Sequence, residues 1–261
     1  MATGQSGQIE ISTTTICDLK LPVPPMRIQK KIVDEIEIIE QSISEMKHEI
    51  IKLQDDIYHM VETVENDTNT YKKLRRIAYI NPQKPNKNDY DQNMKISFIE
   101  MAAVSEDGFI QSMETKSFGS VQKGGYTSFI NDDIIIAKIT PCMENGKCAL
   151  VSHLENEIGY GSTEFHVIRA NKNEILPKYL FLLLNRNKIR EAAKTKMTGK
   201  SGHRRVPSIF YADLDIPIIS IQKQKDFVAQ IELLENNINK LKAEVSESES
   251  KKKIILENYL Y

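Results

Sequence analysis

TGQSGQIEISTTTICDLKLPVPPMRIQKKIVDEIEIIEQSISEMK, beginning at Thr3, and TGKSGHRRVPSIFYADLDIPIISIQKQKDFVAQIELLENNINKLK, beginning at Thr198, are one stretch written twice. They align without a gap at an offset of 195, and fifteen of 45 positions are identical, among them Gly4/Gly199, Gly7/Gly202, Asp18/Asp213, Pro22/Pro217, Gln29/Gln224 and Glu40/Glu235. A match of that length marks a repeated supersecondary unit. Each copy reads as a Gly-containing loop, a short extended segment (Leu19, Leu21, Val23; Leu214, Ile216, Ile218), a Pro-marked turn and a long helix.

The first helix carries an unbroken 4-3 alternation of apolar residues: Ile32, Ile36, Ile39, Ile43, Met46, Ile50, Leu53, Ile57, Met60 and Val64. Spacing of that kind is a coiled-coil seam, not the broader stripe of an ordinary core helix. The second helix keeps the register with Phe227, Ile231, Leu234, Ile238, Leu241 and Val245, then falters at Ser248 and Lys252 before Ile255 and Tyr259. A helix from about 26 to 64 is roughly 58 Å long at about 1.5 Å per residue, which suits a spacer. Its acidic surface (Asp34, Glu35, Glu37, Glu40, Glu45, Glu49, Asp55, Asp56) would be repelled by phosphate, so a protein partner is expected along it.

Between the helices, 95–104, 109–118, 128–140, 148–153 and 162–170 read as strands separated by turns, a β-rich globule. ILPKYLFLLLNRNKIREAAK follows, a helix opened by Pro177 with Leu180, Phe181, Leu183, Leu184, Ile189 and Ala193 on its apolar side. The fold class is α+β: one β-rich domain flanked by two long helices that pair as an antiparallel coiled coil.

A formal net charge of -1 conceals a segregation, since residues 1–70 are acidic and residues 71–221 basic. Arg186, Lys188, Arg190, Lys194, Lys196, Lys200, Arg204 and Arg205 stand against Glu191 alone within twenty residues. Such density is the electrostatic footprint of a phosphate-binding surface, or else a solvated helix face with a basic loop. TGKSGHRR adds small residues that let backbone approach a ligand, with Lys200, His203, Arg204 and Arg205 beside them. Arg suits bidentate contact with guanine and Lys suits phosphate. KGGY at 123–126 is a second candidate loop, or a plain turn.

The sequence has no GxGxxG, no GxxxxGK[ST] and no HExxH. Asn81-Pro82-Gln83-Lys84 lacks the aromatic and second Pro of an amino-methyltransferase tetrapeptide, and Asp132, Asp133 and Lys138 have the wrong spacing for a nuclease site. Cys142, Cys148, His153 and His166 lack the paired spacing of zinc ligands, so no metal is expected. Three cysteines are too few and odd in number for a disulfide framework, the N-terminus has no signal-peptide pattern, and no apolar run reaches membrane-span length. A soluble chain in a reducing cytoplasm is the expectation.

The repeated TG-x-SG-to-helix unit, together with DDIIIAKITPCMENGK (132–147) and GYGSTEFHVIRA (159–170), resembles the specificity subunit of type I restriction-modification systems. The resemblance covers nearly the whole chain. It implies a target recognition domain at 71–221, conserved spacer helices at 26–66 and 222–261, and in 1–25 the remnant of a preceding recognition domain and its loop. A full-length subunit has two recognition domains that read the two halves of a bipartite DNA site, whereas one is present here, so the chain resembles a half subunit. It would pair with a second copy or with another half specificity subunit. The helix length would then limit reader separation to about 17 base pairs at roughly 3.4 Å each.

The resemblance further implies double-stranded DNA as ligand, with contacts from Lys123, Gly125, Tyr126, Thr140, Glu144, Asn145, Lys147, Lys194, Lys196, Lys200, Ser201, Gly202, His203, Arg204 and Arg205. Methyltransferase subunits would meet the helices and restriction subunits would join through them. S-adenosylmethionine, ATP and Mg2+ would be bound by those partners, leaving this chain non-catalytic. A coiled-coil assembly scaffold without DNA specificity is the alternative.

Overall fold

The computed structural model describes Cys17, residues 23–200 and residues 202–260. The first copy's TG-x-SG loop, Leu19 and Leu21, and most of the expected remnant at 1–25 lie outside the described residues. The chain divides into two compact units, Met1–Asp55 with Leu234–Tyr261, and Asp56–Leu233.

In the first unit two helices run antiparallel. Helix α1 is Met26–Thr63 and helix α7 is Ile221–Leu260, so both begin at the same place in the repeat. Their seams face inward: Ile32, Ile43, Ile50, Ile238 and Val245 are buried, and Ile36, Ile39, Met46, Leu53, Leu234 and Leu241 are half-buried. Ion pairs Lys47–Glu249 (3.0 Å) and Glu40–Lys252 stitch the flanks, and Lys31 lies 5.6 Å from the Tyr259 ring centre. The antiparallel coiled coil expected from the 4-3 spacing is therefore formed within the chain. It also continues where the sequence suggested a falter, because Ser248 and Lys252 keep seam positions and are half-buried. Lys252 can do so because its stem packs while its ammonium reaches Glu40.

The second unit is built on two four-stranded sheets. Its strands are β1 (Tyr71–Lys73), β2 (Ala78–Ile80), β3 (Lys95–Ile99), β4 (Glu114–Ser117), β5 (Thr127–Ile130), β6 (Asp133–Ala137), β7 (Cys148–Leu150), β8 (Ile158–Gly161), β9 (Phe165–Ala170) and β10 (Asp215–Pro217). One sheet has the order β2-β9-β6-β7, the other β4-β3-β8-β5, and β1 pairs with β10. Four-residue helices α2 (Leu74–Ile77) and α3 (Phe118–Val121), then α4 (Pro177–Leu184), α5 (Asn187–Thr195) and α6 (Ser208–Ala212), complete it.

Strand β6 is buried on both faces. Ile135 meets Phe129, Phe165 and Val167 between the sheets, while Ile134 and Ile136 face Leu74, Ile77, Tyr179, Leu180 and Tyr211 on the helical side. Alternation with a period of two, both sets apolar, explains why Ile134 to Ala137 form a continuous apolar run. Ile57, Met60 and Val61 from the end of α1, Val64 from the turn that follows it, and Phe227, Val228 and Ile231 from the start of α7 join that helical-side core.

Three expectations need correction. The run 128–140 is two strands, because Asp132 takes a left-handed φ of 69° and turns the chain from one sheet into the other. The 177–193 helix is two, α4 and α5, because Arg186 is extended (φ -65°, ψ 144°) and its buried guanidinium binds the Leu183 carbonyl and Glu65. Of 109–118 only β4 is a strand, Ile110 making a single bridge to Val104, and β8, whose alternate residues are the glycines of IGYG, gives no apolar pattern from which to read a strand.

Candidate nucleic-acid interface

Two of the basic or polar loops singled out in the sequence are laced together. After β6, the segment Thr140–Lys147 coils into consecutive turns through Met143 N–H to Ile139 O, Asn145 N–H to Pro141 O and Lys147 N–H to Cys142 O. The TGKSGHRR loop returns beside it: Thr140 N–H donates to Arg204 O (3.0 Å), Val206 N–H to Lys138 O (2.8 Å), and Thr198 and Arg205 exchange both backbone bonds. Gly146, at φ +85°, lets the Arg190 guanidinium lie where a Cβ would sit at 2.4 Å.

The cations are sorted by this geometry. Arg186 is buried and, with Lys188, closes on Glu65 from the end of α1; burial alone would raise the Glu65 carboxyl, but Lys188 and Arg186 hold it below the usual range. Arg205 gives its fork to Glu164, with Nε–Oε2 at 2.9 Å and Nη2–Oε1 at 2.7 Å. Arg204 is half-buried and donates to the Lys194 carbonyl. Lys194, Lys196, Lys200, Gly202 and His203 are exposed, and Ser201 lies outside the described residues. Fewer cations of the cluster therefore face solvent than its linear charge suggests, and what remains is concentrated on the loop and the end of α5.

The other expected contacts divide similarly. Lys147 is half-buried and donates to Met101 O (3.1 Å), Asn145 donates to Glu106 (2.8 Å), Glu144 is half-buried, and the Thr140 hydroxyl lies 3.7 Å from Met197 Sδ. In the 123–126 loop, Lys123 and Gly125 are exposed, whereas Tyr126 packs edge-on to Phe98 at 4.8 Å.

From that loop Thr127 and Ser128 run into a cleft of about 220 Å³, lined also by Asn81, Pro82, Lys84, Lys138, Phe165 and Val167. Sequence reasoning missed these as a group. The only local signal was Asn81-Pro82, where Asn81 adopts φ 50° and bonds both the Val167 amide and the His166 ring.

The groups weighed as a nuclease site have other partners. Asp133 is forked by Arg169, Asp132 pairs with Lys172, and Lys138 donates to Thr163 O. Burial pushes the Cys148 thiol up to about 12. Among the described residues no three His, Cys, Asp or Glu side chains gather as metal ligands, and no helix is long and apolar enough to cross a membrane.

The family model for the type I restriction modification DNA specificity domain matches residues 66–247, which takes in the two-sheet unit and both loops. The chain belongs to that family. It is 43% identical over 158 residues to the Escherichia coli type I restriction enzyme EcoAI specificity subunit, covering 59% of this chain and 26% of that protein. It is 38% identical over 146 residues to the EcoEI specificity subunit from the same species, covering 55% and 24%. The chain thus matches about a quarter of these relatives' length. The crystal structure of the type I restriction-modification system S subunit from M. genitalium superposes with a TM-score of 0.55 at 13% identity, over all of this chain and 68% of that one, which speaks to the fold.

Proposed function

We propose that this specificity-family chain is a DNA-recognition subunit of a type I restriction-modification system, without chemistry of its own, that directs methyltransferase and restriction subunits to one half of a bipartite site. The observation that carries it is the match of the specificity-domain model to the unit that presents the laced cationic loops. On this reading Lys194, Lys196 and Lys200 hold phosphate, and His203, Arg204 and the loop backbone reach base edges. The methyltransferase partner docks on the acidic helices. S-adenosylmethionine, ATP and Mg2+ belong to the partners, and the assembly is cytoplasmic.

The repeat bears on how a second half site is read. At the start of α7, Gln224 is fully buried: its Nε2 donates to Ile219 O (2.9 Å) and its Oε1 accepts Leu176 N–H (2.8 Å) from the recognition unit. At the equivalent place Gln29 Nε2 donates to Pro24 O (2.7 Å). There Val33 is 50% exposed whereas its counterpart Val228 is 9% exposed. The start of α1 is thus shaped like the seat that α7 fills with its own domain. We assign it to a second recognition domain, from another half specificity subunit, in preference to helix exchange between two copies, because the seams already close within the chain.

The test is duplex binding by the full chain, titrated by fluorescence anisotropy at rising salt. Phosphate neutralisation requires a steep fall of affinity with salt. Salt-insensitive or absent binding would instead favour the scaffold reading.

A further inference from the structure

We propose that Glu164 and His166 are positioning residues that clamp the TGKSGHRR loop, so that they set which sequence is read while making no contact with DNA themselves. This rests on the DNA-recognition reading above.

Glu164 is the last residue of the turn before β9 and His166 the second residue of the strand, and both turn toward the loop, while Phe165 and Val167 enter the core between the sheets. The outward pair meets consecutive residues of the loop's return strand. Glu164 receives the Arg205 guanidinium in its two-bond fork. His166 Nε2 lies 2.8 Å from the Val206 carbonyl, which therefore takes its proton, and Nδ1 accepts from Asn81 Nδ2 at 3.1 Å. The ring is buried and packs edge-on to Tyr211 at 5.6 Å, so it has one orientation.

Each bond of the clamp is extended by another. Arg205 spends its remaining Nη1 on the His203 carbonyl (3.1 Å), which carries the constraint from Glu164 into the loop backbone. Lys138 N–H donates to Glu164 O (2.9 Å), and Lys138 O accepts Val206 N–H, so β9, the end of β6 and the loop form one braced ladder. Opposite the bonds lies a loop built to be fixed at its base and open at its tip. Gly199, at φ +122°, brings its α-carbon so near the His203 carbonyl that a Cβ would sit 2.8 Å from it, whereas Gly202 has open space around it.

Two consequences separate this from ordinary packing. Arg205, which the sequence marked as a guanine reader, is the bolt of the clamp, and the readers are the tip residues. Glu164, an acid beside a phosphate-binding surface, would be unfavourable there without that task. A half-exposed ion pair adds little to global stability, so its removal unlatches the loop without unfolding the domain.

The experiment uses the full chain and a random-sequence duplex pool, with sequencing of the bound fraction, for the wild type, Glu164→Gln, Arg205→Gln, His166→Phe and the double exchange Glu164→Arg with Arg205→Glu. Backbone hydrogen exchange is followed on the same proteins without DNA. Glu164→Gln and His166→Phe are expected to speed exchange at Thr140, Thr198, Arg205 and Val206 at least tenfold. They should also reduce the enrichment of the preferred sequence about tenfold while the salt dependence of binding to unselected duplex stays as in the wild type. The double exchange should restore both readouts. Enrichment kept by Glu164→Gln but lost by Arg205→Gln would make Arg205 a reader and overturn the clamp, as would unchanged exchange in both single clamp variants. A wild type that enriches no sequence would instead refute the DNA-recognition reading, and exchange would still decide whether the clamp exists.

Discussion

Asp133 and Arg169 face each other across the β6–β9 pair, and the Arg169 guanidinium closes on the Asp133 carboxylate through Nε–Oδ1 at 2.8 Å and Nη2–Oδ2 at 2.7 Å. Asp133 Oδ2 also accepts the Ile130 amide, so the buried carboxylate joins the turn after β5 to the central strand of the other sheet. Removing Arg169 strands the buried Asp133 carboxylate in the interior, whereas removing Asp133 leaves a guanidinium that water reaches. Arg169→Ala is expected to cost about 3 kcal/mol, read as a lower urea midpoint at unchanged slope, and replacing both residues by apolar ones should cost less.

Glu65 links the helix end to Arg186 and Lys188, and its carboxyl is held below the ordinary range. A depressed acid contributes stability above its unfolded pKa of about 4.3, and that stability is lost as pH falls through the lower folded value. Glu65→Gln should therefore destabilise at neutral pH by about 2 kcal/mol, because Arg186 is left buried and unpaired. It should also flatten the stability-pH curve below about pH 4.3. Equal acid limbs for the two proteins would contradict this.

How much of this was legible from residues alone depends on the range of the interaction. The 4-3 seam and the repeat are local periodicities, and both helices start where the repeat places them, at Met26 and Ile221. The TGKSGHRR loop was legible as a candidate because Gly and cations cluster in sequence, whereas Thr140–Lys147 was a candidate only through the resemblance. The neutralisation of the cations was not legible, since Glu65 and Glu164 come from elements far from Arg186 and Arg205. For the same reason the cleft of Asn81, Lys84, Thr127, Lys138 and Phe165 had no sequence signature beyond Asn81-Pro82: four separate segments supply it.

Cys148 offers a chemical check on the core. Its thiol is buried and pushed up to about 12 because the thiolate would lose its hydration. Iodoacetamide at pH 8 should leave Cys148 unmodified in the native chain and alkylate it after denaturation, as followed by peptide mass spectrometry. Native labelling at a rate like that of the exposed Cys17 would mean that the helical-side core opens readily.

Lys194 and Lys196 are exposed at the end of α5 and should act on phosphate alone. Each change to Ala is expected to weaken binding about equally for all duplexes and to lower the slope of log affinity against log salt by about 1. A variant that changes the preferred sequence instead would place that lysine at a base edge.

Lys252 occupies a seam position between Val245 and Tyr259, where its ammonium reaches Glu40. A polar residue in a seam lowers stability while restricting the register and the number of helices that associate. Replacing it with Leu exchanges an ion pair of small net value for apolar burial, so Lys252→Leu should raise the thermal midpoint by a few degrees, on the order of 1 kcal/mol. The same change removes the only charge on the seam line from Phe227 to Tyr259 apart from the helix flanks. Sedimentation velocity should then show association absent from the wild type, whereas a lower midpoint would assign the Glu40–Lys252 pair a net stabilising role that outweighs its desolvation.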